Sequence, residues 1–229
     1  MSTVGIVCEY NPFHKGHLYQ IEQAKKLTEA DHVVCFMSGN FLQRGIPALA
    51  DKFTRAEAAI KCGVDVIFEI PFVYSTSSAR DYATAAVTMM DMSGAIDFIS
   101  FGAETDDLVL LSQIADIVEN EPPQVSDSIR RSVASGMTYG AARATAIEDY
   151  LQKKDIVRNN PSNSSSSVSK SNISSVMSSP NNILAIEYLA ALKRIKSKIK
   201  PVIIKRIISD YNSNEAVHDI CSASAIRSL

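Results

Sequence analysis

A chain of 229 residues, 46% of them apolar, is long enough for one full-sized domain with its own core. A net charge of -2 excludes a bulk cationic field of the kind that gathers nucleic acid, and leaves open only a local basic patch. The four cysteines, Cys8, Cys35, Cys62 and Cys221, contain no CxxC pair and outline neither a zinc site nor a disulfide framework; no apolar run has the length of a membrane span and no secretory leader opens the chain, so a reducing cytoplasm is the expected compartment.

The first half alternates strand and helix patterns. Val4 to Cys8 reads as a strand ending at polar, turn-forming residues, and Gly16 to Ala30 as a helix with Leu18, Ile21, Ala24 and Leu27 on one face. His32 to Met37 is a second strand, closed by Ser38-Gly39-Asn40. Lys52 to Lys61 reads as a helix with Phe53, Ala56, Ala59 and Ile60 on its apolar side. Val64 to Ile70 is a third strand, expected to be buried and halted by Pro71; Ser78 to Met92 is an alanine-rich helix and Ile96 to Phe101 a fourth strand. Continuous apolar strands separated by helices predict an α/β fold, a parallel sheet covered by helices, with ligands at the carboxyl ends of the strands.

After Thr105 the pattern is helical, over about Asp106 to Asn120, Val125 to Ser135 and Tyr139 to Gln152, with Pro122-Pro123 and Gly136 between. Residues 159–179, mostly Ser and Asn, are expected to form a flexible loop, because they offer too little apolar surface to offset their ordering entropy. Asn182 to Ile195 resumes as a helix, Pro201 to Ile208 as a fifth strand containing Lys205-Arg206, and the last residues read as the start of a helix.

The strongest chemical signal is His14-Lys15-Gly16-His17, directly after a strand and before a helix. A new helix offers unpaired N–H groups and a positive dipole end to an anion, and Gly16 permits close backbone approach. Two imidazoles there can donate to phosphate oxygens as charge builds during attack on an α-phosphorus. Pro12 fixes the preceding turn, Asn11 is placed to bond the backbone or a ligand, and Phe13 to pack beneath. Ser222, Ser224 and Arg227 form a second candidate, hydroxyls and a guanidinium able to close over β- and γ-phosphates. Gln43 and Arg44, in a Gly-bracketed loop after the second strand, suit an acidic substrate. Gly102 after the fourth strand would let a nucleotide lie against the backbone. Asn181, Asn182 and Arg206 are further polar candidates, and Glu69 is either a site carboxylate or the partner of a nearby base. No metal-ligand cluster is read. The basic run from Lys193 to Lys200 reads as a solvated face.

Gly5-Ile6-Val7-Cys8-Glu9-Tyr10-Asn11-Pro12-Phe13-His14-Lys15-Gly16-His17, Met37 to Gly45, Phe101-Gly102-Ala103-Glu104, Asn181 to Tyr188 and the distal Ser-x-Ser-x-Ile-Arg segment occur in the order in which they resemble the tRNA(Met) cytidine acetate ligase family, within the HIGH-type Rossmann-like nucleotidylyltransferase superfamily. The resemblance spans nearly the whole chain. It implies a Rossmann-like ATP-binding domain over residues 1–229. It implies activation of acetate by ATP to acetyl-adenylate, then acetylation of N4 of the wobble cytidine of elongator tRNA(Met). Mg²⁺ would be bound through the phosphates.

The same resemblance implies that His14 and His17 are catalytic. It carries ATP contacts onto Val7, Cys8, Glu9, Tyr10, Asn11, Pro12, Phe13, His14, Lys15, Gly16, His17, Leu18, Tyr19 and Gln20, and onto Gly102, Asn182 and Arg206, with Asn181 an alternative to Asn182. The family runs considerably longer at the C-terminus, so its later part is expected to be missing here. It usually carries Tyr-His where this chain has Tyr211-Asn212. Two other readings of the residues remain: adenylyl transfer to a small phosphorylated cofactor precursor, with Gln43 and Arg44 holding the acceptor phosphate, and a non-catalytic nucleotide- or RNA-binding module.

Overall fold

In a computed structural model, which describes residues 1–158, 170–206 and 227, five strands form one sheet. They are β1 (Thr3–Cys8), β2 (His32–Ser38), β3 (Val66–Ile70), β4 (Phe98–Ala103) and β5 (Lys200–Lys205), in the order β3-β2-β1-β4-β5, and every neighbouring pair is parallel. The chain builds outward from β1 to β3, then crosses back to lay β4 on the other side of β1. The reversal of direction falls between β1 and β4, where the strand ends leave a crevice.

The helices follow from the predicted pattern. α1 (Lys15–Thr28) and α2 (Lys52–Lys61) connect β1, β2 and β3; a single turn, α3 (Phe72–Ser75), and α4 (Ala79–Ser93) lead to β4. α5 (Leu108–Asn120), α6 (Pro123–Ala134), α7 (Tyr139–Arg158), α8 (Lys170–Ser178) and α9 (Pro180–Arg194) then precede β5. β2 shows why its run is apolar throughout: Val34 and Phe36 enter the core shared with α4, α5 and α9, while Val33, Cys35 and Met37 enter the core under α1 and α2. Gly94, at φ 65°, ends α4 in the left-handed conformation that lacks a Cβ penalty.

Four expectations need correction. On α1, Leu27 is exposed, and Ile21 and Ala24 carry the buried apolar side. β3 is an edge strand, not a buried one; Val66 and Phe68 are exposed, because the chain turns back to the β1 side before another strand can cover them. On α2, Phe53 and Ile60 face outward, and the inward side carries Ala59 and the fully buried Arg55. Part of the Ser/Asn-rich segment is helical: residues 170–178 form α8, because Ile173 and Val176, one turn apart, both reach the α4–α5–α9 core. The remainder of that segment lies outside the described residues. Among the described residues no helix is long and apolar enough to cross a membrane.

Candidate active site

β1 delivers the chain into a turn that is held from beneath. Tyr10 takes a left-handed conformation (φ 47°) that only tight packing sustains in a non-glycine residue. Its ring is buried against Phe13 and His17, and its hydroxyl lies 3.2 Å from Cys35 Sγ. Burial, with Cys8 and Cys35 alongside, raises the Tyr10 pKa far above that of a free phenol; burial does the same to the Cys8 thiol. Both stay neutral and serve as packing. The Asn11–Pro12 peptide is cis.

His14 is the N-cap of α1. Its Nδ1 accepts the Gly16 N–H at 3.0 Å, and His17 Nδ1 accepts the His14 N–H at 3.3 Å, a reciprocal capping box built from two imidazoles. An Nδ1 that accepts must be bare, so in each neutral ring the proton is on Nε2, pointing away from the turn. Burial lowers the His17 pKa to about 3, helped by His14 and then Arg206; burial and then Arg206 lower that of His14. Both rings are therefore neutral near pH 7 and present two Nε2–H donors at the start of a 14-residue helix.

The other side of the crevice comes from β4, α9 and β5. Gly102 is tight: a Cβ there would meet Arg206 Cγ at 3.3 Å, so the aliphatic stem of Arg206 lies across the bare backbone. The Arg206 guanidinium lies close enough to His14 and His17 to lower both pKa values, and donates to Asn181 Oδ1 at 3.4 Å. Glu104 caps α9: its carboxylate accepts the Asn181 side-chain amide at 2.6 Å and the Asn182 N–H at 3.0 Å. Asn182 is buried, and its Oδ1 accepts the Glu104 and Thr105 N–H groups at 2.9 and 3.2 Å. Asn182 thus shapes the loop after β4, while half-buried Asn181 is the one beside Arg206.

The loop after β2 is tied to the turn after β1. Glu9 Oε1 accepts the Gln43 N–H at 2.8 Å, Asn11 Oδ1 accepts the Leu49 N–H at 2.7 Å, and the Gln43 side chain donates to Ser77 O at 2.9 Å. Gln43 therefore fastens the loop, whereas Arg44 is exposed at its tip. Glu69 pairs with Lys52 and fills the space that a Gly39 side chain would need. Arg227 Nη1 donates to Asn11 O at 2.6 Å, which brings a residue 216 positions away onto the same turn. Ser222 and Ser224 lie outside the described residues. Val7 and Cys8 end β1, Lys15 is exposed, and Leu18, Tyr19 and Gln20 are half-buried on the first turns of α1.

Arg55, which no sequence motif marks, is also part of the site. It donates to four main-chain carbonyls, Ala50 and Glu9 and, through Nη2, Ser38 and Gly39, so it braces the carboxyl ends of β1 and β2. Among the described residues it pairs with no carboxylate, and burial lowers its pKa. The available signal was an arginine four residues before Ala59, on the same helical face.

A family model described as HIGH Nucleotidyl Transferase matches residues 1–229. The chain belongs to this family. Among curated members, a tRNA(Met) cytidine acetate ligase of Acetivibrio thermocellus is 42% identical over 227 residues, 99% of this chain and 51% of the relative. One of Clostridium perfringens is 39% identical over 228 residues, 99% of this chain and 54% of the relative. This HIGH nucleotidyl transferase domain thus spans about half the length of the curated relatives it matches. Thermotoga maritima TmcAL bound with alpha-thio ATP superposes with a TM-score of 0.85 at 34% identity, over 100% of this chain and 50% of that one; the apo form gives 0.87 at the same identity, over 100% and 51%. The α/β fold expected from the strand and helix pattern is the fold of these HIGH nucleotidyl transferase structures.

Proposed function

We propose that the chain binds ATP over the turn after β1 and joins acetate to its α-phosphate, giving acetyl-adenylate and pyrophosphate. The amine N4 of the wobble cytidine of elongator tRNA(Met) then attacks the acetyl carbonyl and loses a proton, the bond from that carbon to the phosphate oxygen breaks, and AMP leaves. The carrying observation is the pair of outward Nε2–H donors on His14 and His17 at the start of α1. Neutral donors fixed in advance stabilise the charge that develops on the α-phosphate without reorganising. Arg206 beside the two imidazoles and Arg227 at the Asn11 carbonyl would take phosphate oxygens, and the Gly102 backbone would lie beneath the nucleoside. The names of the curated relatives support the acid and the RNA, and the alpha-thio ATP complex of the TmcAL relative supports the nucleotide.

Mg²⁺ accompanying ATP would be held through phosphate oxygens; among the described residues no group of three or more His, Cys, Asp or Glu is placed to hold a metal. The ion would supply charge neutralisation on the leaving pyrophosphate. The test is acetate-dependent exchange of labelled pyrophosphate into ATP by the purified chain. Exchange that ignores acetate, or dinucleotide products from phosphorylated acceptors, would overturn the reading. Transfer is tested separately, by acetate incorporation into a tRNA(Met) transcript and its loss when the wobble cytidine is replaced.

A further inference from the structure

The amide of Asn11 can be oriented without ambiguity. Only an oxygen can accept the Leu49 N–H at 2.7 Å, so Oδ1 is the atom on that side and Nδ2 lies on the other. Asn11 is 5% exposed, and Nδ2 is buried with no acceptor among the described residues. Buried donors are rarely left unpaired, and one beside a reactive turn calls for an explanation. If the side chain served only to hold Leu49, an aspartate would accept that N–H equally well. The position instead carries a neutral group that adds two unused donor hydrogens.

The surroundings indicate what those hydrogens meet. The phosphate side of the turn already has donors: the amides of α1, the Nε2–H groups of His14 and His17, and the guanidinium of Arg206. The loop side is nearly spent. Gln43 uses its backbone N–H on Glu9 and its side chain on Ser77 O, and Arg55 uses its hydrogens on carbonyls. Asn11 stands on the seam between the two, joined to the loop through Leu49 and to Arg227 through its own carbonyl.

We infer that Asn11 Nδ2 is the binding group for the carboxylate of a small acid co-substrate, donating to one oxygen while the other faces the α-phosphorus. The inference rests on the acid-activating reading above. In the step it serves, the free carboxylate oxygen forms a bond to the α-phosphorus, the bond from that phosphorus to the bridging oxygen breaks, and pyrophosphate leaves with the electron pair. No proton is transferred.

The experiment uses the purified chain, with acetate as the acid and a non-hydrolysable ATP analogue for binding. Asn11→Ala and Asn11→Asp are compared with the parent, and thermal melts report folding. Loss of one good hydrogen bond to a charged oxygen predicts a KM for acetate about tenfold higher in Asn11→Ala, and higher again in Asn11→Asp, where the new charge repels the acid. Affinity for the analogue should fall less than affinity for acetate in Asn11→Ala, because the imidazoles and Arg206 still hold the phosphates while the acid loses its donor. Parallel loss of acetate and analogue affinity would place Nδ2 on the phosphate instead, and an unchanged KM for acetate with only a lower melting temperature would leave Asn11 a structural residue; either overturns the inference. Failure of the parent to exchange pyrophosphate in an acetate-dependent way sinks the acid-activating reading itself, a result distinct from both.

Discussion

The rings of His14 and His17 lie face to face, 3.8 Å between centroids and 23° from parallel, and each accepts a backbone N–H through Nδ1. Stacked this closely, the two imidazoles resist becoming cations together. The arrangement makes them directional donors rather than charges.

Replacing either ring should abolish most turnover. His17→Ala is expected to slow acetate-dependent exchange by roughly 10²–10³-fold, the scale of one lost transition-state donor. His14→Ala should do the same and also cost about 1 kcal/mol through the lost cap. His14→Asn separates the two effects, since asparagine caps well: melting temperature should recover while exchange does not.

Acid should destabilise the fold through His17. Its folded pKa of about 3 lies below the ordinary histidine value of 6.5, so between those pH values the unfolded chain binds the extra proton. Stability from this group is fully present above about pH 6.5 and is lost as pH falls toward about 3; His14 acts in the same direction. Denaturant unfolding of the parent and of His17→Gln from pH 7 to 4 checks this, with a flatter pH dependence expected in the variant.

Arg55→Met should be among the most damaging substitutions away from the ligand. It strands four carbonyls at the ends of β1 and β2, at a cost of about 3 kcal/mol. For a chain of this size that lowers the melting temperature by roughly 6–12 °C. Arg55→Lys keeps the charge but cannot span the same carbonyls, and should recover only part of the loss.

Gly102→Ala should separate binding from folding. The added methyl presses on the flexible Arg206 stem at 3.3 Å and meets the Ile204 carbonyl oxygen at an ordinary 3.9 Å, so stability should change by less than about 1 kcal/mol. Displacing Arg206 should weaken an ATP analogue several-fold by calorimetry. Affinity equal to the parent would mean that Arg206 does not act on the nucleotide.

Arg227→Ala should weaken the same analogue without changing the melt appreciably, because the exposed side chain reaches the Asn11 carbonyl at the site rather than the core. Titration of parent and variant side by side reads both outcomes.

Much of the fold was legible because periodicity reports burial. β1, β2 and β4 are apolar on both faces, and α4 and α5 carry apolar stripes, whereas α9 is buried all round from Ala185 to Leu192. β3 misled because an apolar edge strand has the composition of a central one; only the order of strands exposes Val66 and Phe68. α8 misled because two buried residues, Ile173 and Val176, are enough to dock a short helix among serines. In the candidate site, the histidine turn was readable from its strand–turn–helix setting. The role of Gln43 as a loop tether and the buried bracing by Arg55 were not, since both depend on carbonyls contributed by distant segments.

The bracing guanidinium has a further effect. Arginine keeps its proton throughout the working pH range, and Arg55 is sealed from solvent with carbonyls on its hydrogens and the carboxylates of Glu9, Asp51 and Glu69 acting on it from farther off. Dissolved ions screen surface charges readily but buried ones far less. The exposed arginines at the crevice, Arg206 and Arg227, will lose influence as ionic strength rises, while Arg55 will not. The site therefore has two sources of positive potential: one that varies with the surrounding electrolyte, and one built into the junction of β1, β2 and α2 that does not.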